Sequence, residues 1–295
     1  MRLHSPQPTF YIMDNPLVHT KSRHGQFIFF KNDDPIGACL QHYGEWAQPE
    51  FEFFDLFLKE DSCVIDVGAN IGTHSVYFAN KCPRGSIISI EPQVFIFNLL
   101  ATNLTINQCF NAFPIHAAVS GKEGKMQLEN INPFVGDKVN YGEFNVNKKA
   151  NRGMFTNVIT LDSLTNLGKF DLIKLDVEGH EVQVLSGAKK IIKEHKPILY
   201  IEYNSKFSND ELFDAISSMG YIMYWHLYTK HNPDNFNKAS NVWEPPNFVP
   251  TEDDFERKYE ANAICVHKSK PQPTDLKLIE RGSNMVSVLK DMKLI

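Results

Sequence analysis

Few chains can place Val64-Ile65-Asp66-Val67-Gly68-Ala69-Asn70-Ile71-Gly72-Thr73 anywhere but at the end of a buried strand. An apolar run ends in an acid, two glycines follow four residues apart, and a helical pattern starts near Thr73. The reading is strand, tight turn and helix N-terminus. Glycine lets the backbone approach a ligand closely, and the first N–H groups of a helix lack partners inside it. The turn has neither the G-x-G-x-x-G of a dinucleotide site nor the Gly-Lys-Ser/Thr of a P-loop.

The rest of the chain supplies a sheet for this turn. Pro49 opens a helix whose apolar side carries Phe51, Phe54 and Leu58. Strand Cys63–Val67, a helix near Thr73–Asn80, strand Ser86–Ile90, a helix near Val94–Leu104 and strand Phe113–Val119 follow. Alternation of this length implies a parallel sheet with helices on both faces. Residues 121–156 break the rhythm and read as an insertion of the kind that forms a substrate loop or lid. Val158–Leu161 reads as an edge strand and Asp162–Leu167 as a short helix. Strand Phe170–Asp176, a helix through Val184–Ile192, strand Pro197–Glu202, helix Asp210–Met219 and strand Tyr221–Tyr228 resume the pattern. Residues 229–260 read as loop, Ala263–His267 as the last strand and Met285–Leu294 as a helix. Upstream, Gln26–Lys31 and Ile36–Leu40 read as a hairpin around the turn Asn32–Pro35. The expected layout is an N-terminal appendage over 1–45, a main domain over 46–267 and a tail over 268–295.

A formal net charge of −5 disfavours a broad nucleic-acid footprint. The five cysteines, Cys39, Cys63, Cys82, Cys109 and Cys265, form no C-x-x-C pair. They read as buried apolar residues in a reducing cytoplasm rather than as disulfides or zinc ligands. The first residues lack the apolar core of a signal peptide, and no apolar run is long enough to span a membrane, so the expected location is cytoplasmic.

Ligands on such sheets bind beyond the carboxyl ends of the strands, where Asp66, Glu91, Asp176 and Glu202 fall. The N–H groups of the opening turn suit a carboxylate, and Asp66 would take the ammonium of an amino-acid ligand. Glu91 would accept both hydroxyls of a ribose. An amino-acid end and a ribose on one molecule describe S-adenosylmethionine.

Val64–His74, Ile90-Glu91-Pro92-Gln93, Leu161-Asp162-Ser163-Leu164, Ile173–Glu181 and Val184-Leu185-Ser186-Gly187-Ala188 together closely resemble the FkbM-type S-adenosylmethionine-dependent methyltransferases. The likeness extends to Gly44-Glu45-Trp46, Pro197–Glu202 and Tyr224-Trp225-His226, and covers roughly residues 43–267. It implies a class I methyltransferase fold of the Rossmann-like α/β class. In that fold a seven-stranded, mostly parallel sheet with a reversed last strand carries helices on both faces. It also implies methylation of a hydroxyl on a sugar, glycolipid or natural product. By resemblance, Asp66, Gly68, Ala69, Asn70, Gly72, Thr73 and His74 would surround the methionine part, which Glu45 helps to close. Glu91 and Pro92 would hold the ribose, and Ala117 or Ala118 would lie near adenine.

Methyl transfer needs an aligned acceptor oxygen and a destination for its proton. Asp176 is the first candidate, with His180 one helical turn on and titrating near neutrality. Glu178 would orient the turn and meet the acceptor. A rival scheme places Mg²⁺ on Asp176 and Glu202, with Asn204 nearby. Asn140, Tyr203, Asn204, Trp225 and His226 are the acceptor-side candidates, Trp225 being equally readable as core. Two other classes stay open: a non-catalytic module of the same fold that binds a partner, and a nucleic-acid methyltransferase.

Overall fold

The structure is a computed structural model that describes residues 15–129, 139–140, 153–203, 209–242 and 258–294. Its centre is a seven-stranded sheet built from β3 (Val64–Val67), β4 (Ile87–Glu91), β5 (Ala112–His116), β9 (Leu172–Leu175), β10 (Ile198–Glu202), β11 (Tyr221–Thr229) and β12 (Tyr259–His267). Their spatial order is β11-β12-β10-β9-β3-β4-β5. Neighbours pair in parallel from β10 through β5, while β12 runs antiparallel to both β10 and β11. This is the expected class I arrangement with one reversed strand. The order turns back between β3 and β9, so the loops after these two strands face a common crevice.

Strands β3, β4 and β9 are buried at every position, as strands covered on both faces must be. One core cluster joins Val184, Ile191, Leu212, Trp225 and Met285; the other joins Phe54, Phe78, Leu100 and Tyr200. Helix α3 (Thr73–Lys81) and helix α4 (Val94–Ile106) cover the second face. Helix α4 buries Ile96, Leu99, Leu100 and Leu104, the stripe its period predicts.

Several local readings change. The N-terminal hairpin is β1 (Leu17–Ser22) with β2 (Gly25–Phe30), and Ile36–His42 is a helix, α1, rather than a strand. Ile36, Cys39 and Leu40 are buried there at helical spacing. The hairpin is tied to α4 by carboxamides. The Asn103 side chain accepts from Ile28 N at 2.7 Å and donates to Ile28 O at 3.0 Å, and Asn107 does the same for Gln26. The third strand ends at His116. Ala118–Val119 (β6) leaves the main sheet and pairs with Gly153–Ile159 (β8), which pairs in turn with Gly124–Glu129 (β7). The two flanks of the 121–156 insertion are therefore strands, and most of the expected lid lies outside the described residues. Leu161–Leu167 is a 3₁₀ helix. The tail forms helix α8 (Met285–Asp291), capped by Asn284, which buries Met285, Val288 and Leu289 against the core. No helix among the described residues is long and apolar enough to cross a membrane.

Candidate active site

The opening turn is built by backbone geometry. Gly68 N and Ala69 N both donate to Ile90 O at 3.0 Å, clamping the turn to β4. Gly68 holds φ at +77°, and a Cβ there would lie 1.9 Å from the carbonyl oxygen of Asp176. Only glycine allows the loops after β3 and β9 to touch in this way. Asn70, also left-handed at φ +50°, accepts from Ile71 N through its own side chain at 2.7 Å. Gly72 is the N-cap of α3 and packs on Leu100, behind the site.

Beside the turn lies a cleft of about 350 Å³, open to solvent. Of the sequence-predicted residues, Gly68, Ala69, Asn70, Thr73, His74, Glu91, Pro92, Ala117, Asn140, Asp176, Glu178, His180 and Glu202 line it. Glu91 is buried, accepting Asn70 N at 3.1 Å on one oxygen and Gln93 N at 2.9 Å on the other. Burial pushes its carboxyl up to about 7, against these two hydrogen bonds. Each oxygen keeps acceptor capacity for a further donor.

Asp66 sits elsewhere. It is fully buried under the turn, accepts the Ser75 hydroxyl at 2.6 Å and lies 3.7 Å from Lys174 Nζ. It does not line the cleft. Lys174, whose importance the sequence reading missed, joins the site to the core: its Nζ is also 3.1 Å from Asp176 Oδ2. Burial pulls the Lys174 ammonium down, but Asp176, Asp66 and Glu50 outweigh it, and the net shift is upward. A lysine between Ile173 and Leu175 in a fully buried strand was the available signal, since such a charge needs a partner.

A second, smaller chamber of about 90 Å³ adjoins the cleft. Trp46, His74, Asp176, Glu202, Lys230 and Glu260 line both spaces. Lys230 and Glu260, read from sequence as loop, follow β11 and open β12, and they pair at 2.7 Å. Glu50 holds the far wall, accepting from His74 at 2.8 Å, from the Tyr228 hydroxyl and from Asn262 at 3.2 Å. Burial alone would raise the Glu50 carboxyl, but His74, Lys174 and Tyr228 bring it down to about 2. Glu45 lies in this chamber's wall, away from the cofactor-sized cleft. Arg23 Nε at 2.7 Å and Phe236 N at 2.9 Å both donate to its Oε2, and Asn232 donates to Oε1 at 2.7 Å, so Glu45 clasps the segments around it while Oε1 keeps one acceptor position.

Three carboxylates meet where the chambers join: oxygens of Asp176, Glu178 and Glu202 lie within 4.8 Å of one another. Burial, then Asp176, Glu178 and Glu260, push the Glu202 carboxyl well above its ordinary range.

His180 is not on a helix face shared with Asp176. Residues 176–180 form a turn, with Glu178 at φ +51° and Gly179 at φ +85°, and His180 caps the helix that follows. Its Nε2 is 3.0 Å from the Ser120 hydroxyl, and burial lowers its pKa, favouring the neutral ring. Tyr203, Trp225 and His226 line neither chamber. Trp225 is 3% exposed and meets Tyr203 edge to face; His226 stacks on Phe53 and bonds the Tyr200 hydroxyl at 2.7 Å. Trp225 and His226 lie within β11 and Tyr203 directly follows β10, with their side chains packed on protein neighbours and not open to either chamber. Asn204 lies outside the described residues.

Residues 66–223 match the family of the methyltransferase FkbM domain. Methyltransferase 1 of Beauveria bassiana is 24% identical over 146 residues, 43% of this chain and 59% of that protein. The hexuronic acid methyltransferase AglP of Haloferax volcanii is 29% identical over 133 residues, 44% of this chain and 51% of that protein. The chain thus spans little more than half the length of these curated relatives. A crystal structure of methyltransferase FkbM from Methylobacillus flagellatus aligns with 70% of this chain and 44% of its own, at 18% identity and a TM-score of 0.43. With its family match covering more than half of its length, the chain belongs to the FkbM methyltransferase domain family.

Proposed function

We propose that the protein transfers the methyl group of S-adenosylmethionine to a hydroxyl of a sugar, glycolipid or natural-product acceptor. The observation that carries this reading is the junction of two chambers at Asp176. One chamber carries the glycine turn and Glu91; the other is walled by hydrogen-bonding side chains. Among the relatives, a hexuronic acid methyltransferase supports a glycan acceptor.

The cofactor, when bound, supplies an electrophilic methyl on a positively charged sulfur. Glu91 would accept the two ribose hydroxyls, and the N–H groups at the start of α3 would hold the carboxylate. Ala117 and Ala118 form an apolar wall suited to adenine. Asp176, held by Lys174, is placed at the junction to accept the acceptor hydroxyl's proton as the oxygen becomes a nucleophile. Neutral His180 is the alternative base. Closing the site around the acceptor brings both reactants to one point, which is the main contribution a protein makes when the cofactor carries the reactivity.

The carboxylate trio favours a second scheme in which Asp176, Glu178 and Glu202 hold a hard divalent cation that lowers the acceptor's pKa. Activity unchanged by exhaustive EDTA treatment removes that scheme. Isothermal titration with S-adenosylmethionine and S-adenosylhomocysteine tests the main reading: micromolar binding is expected, and no binding at millimolar ligand sinks it. Cofactor binding without transfer to any acceptor in a glycan array would favour a partner-binding module.

A further inference from the structure

We propose that Nδ1 of His74, backed by the Glu50 carboxylate, accepts a hydrogen bond from the ammonium of the cofactor's amino-acid end. The proposal rests on the cofactor reading above and deepens it, because Asp66, the acid expected to meet that ammonium, does not line the cleft. The cofactor's carboxylate is placed on the N–H groups that open α3, and its ammonium hangs from the same carbon, close to the first turn of that helix. His74 is the second residue of α3 and lines both the cleft and the smaller chamber.

The ring is 6% exposed and firmly held. Its Nε2 is 2.8 Å from Glu50 Oε2, and it meets Phe51 edge to face with ring centres 5.0 Å apart. Burial raises the Glu50 carboxyl, but its neighbours outweigh that and keep it ionised. A carboxylate only accepts, so Nε2 carries a proton, and a ring with one proton then has its lone pair on Nδ1. Nδ1 makes no hydrogen bond among the described residues. Glu50 is a positioning residue: its Oε1 already accepts from Tyr228 and Asn262. It fixes the tautomer of His74, and its charge behind the ring strengthens Nδ1 as an acceptor, as a carboxylate does behind a metal-binding histidine. Asp176, the other acid beside the turn, is already held by Lys174 at 3.1 Å.

The test needs no methyl acceptor. Isothermal titration near pH 8, where free imidazole is neutral, compares three ligands on wild type, His74→Phe and Glu50→Gln. They are S-adenosylhomocysteine, its deamino analogue, in which hydrogen replaces the ammonium, and its decarboxy analogue, which keeps the amine. Wild type is expected to bind S-adenosylhomocysteine about tenfold more tightly than the deamino analogue, a difference of about 1.4 kcal/mol. His74→Phe keeps a ring in place and is expected to bind these two equally, at the wild-type affinity for the deamino analogue, which also shows that it folds. It should still prefer S-adenosylhomocysteine to the decarboxy analogue, since the N–H groups of α3 remain. In Glu50→Gln, Tyr228 and Asn262 hold the amide oxygen, so the amide –NH₂ donates to His74 Nε2 and the ring proton moves to Nδ1. That variant should lose the preference for the ammonium as well. A wild type indifferent to the ammonium, a preference that survives in either variant, or a His74→Phe that loses the carboxylate preference instead would each overturn the proposal. Should His74→Phe bind no ligand, Glu50→Gln decides by the same comparison. A wild type that binds none of the three refutes the cofactor reading instead.

Discussion

Lys174→Met removes a buried cation that serves both the core and the site. Lys174 is 4% exposed, Asp66 is 0% exposed, and their charged atoms are 3.7 Å apart. Methionine fills much of the lysine's volume, so the cost is electrostatic: Asp66 stays buried with Ser75 as its remaining hydrogen-bond donor. Breaking a buried pair from one side costs about 3–5 kcal/mol. At an unfolding entropy of about 2.1 cal/mol/K per residue, a chain of 295 residues loses about 1.6 °C of melting temperature per kcal/mol. The expected drop is therefore about 5–8 °C, read by calorimetry. The sign with pH follows from the raised Lys174 pKa. Its contribution is complete below the ordinary lysine value of 10.5 and fades only as pH rises beyond it, so the deficit should be flat from about pH 6 to pH 9. Asp66→Asn combined with Lys174→Met removes the orphaned charge and should recover most of the loss. A single variant that melts within about 1 °C of wild type, or a double variant no more stable than the single, refutes the argument.

Gly68→Ala puts a Cβ where the Asp176 carbonyl must retreat by about 1 Å, on a left-handed backbone that alanine disfavours. Turnover should fall by about 100-fold in a single-turnover assay, and a fall of less than about threefold contradicts the close contact. Burial pushes the Glu91 carboxyl up to about 7, and under the proposed reading its carboxylate would accept from two ribose hydroxyls where the neutral acid offers less. The dissociation constants of both cofactor forms should rise about tenfold from pH 8 to pH 6, and Glu91→Gln should bind weakly with no such slope. Trp225→Ala should cost about 3–5 kcal/mol of stability and leave the affinity for S-adenosylhomocysteine unchanged at a temperature where the variant is folded. A weakened affinity with an unchanged melting temperature would return Trp225 to the binding surface.

Much of the architecture could be read from local chemistry. The period-two and period-3.6 patterns place β3, α3, β4, α4, β9 and β10 within a few residues of their positions, because each signal is carried by neighbours in the chain. The glycine turn and the acid that ends β4 are of the same kind. Gly68, Asn70 and Glu91 occupy the cleft since a left-handed turn and a strand end have only one place to be on such a sheet. Ile36–His42 misled because a short apolar run fits strand and helix alike. Trp225 could be read as core or as acceptor side, and His226 only as the latter, because alternation along β11 does not say which positions other elements will cover.

Partnership between distant charges was not legible. Asp66 and Asp176 each end an apolar strand and look equivalent in sequence, yet one is sealed under the turn and the other stands at the junction. Lys174 chooses between them only once β3 and β9 lie side by side. That Glu45 would be held by Arg23, Asn232 and the Phe236 amide, from two remote segments, could not be read from its own neighbours. Lys230 and Glu260 become site residues because β12 reverses and brings residue 260 beside residue 228. Strand, turn and helix are decided by neighbours a few residues apart, so the chain's own order specifies them. Which carboxylate is neutralised, which is buried and which is left facing a ligand depends on contacts of 2.7–3.7 Å between residues up to 187 positions apart, and only the folded sheet sets those distances.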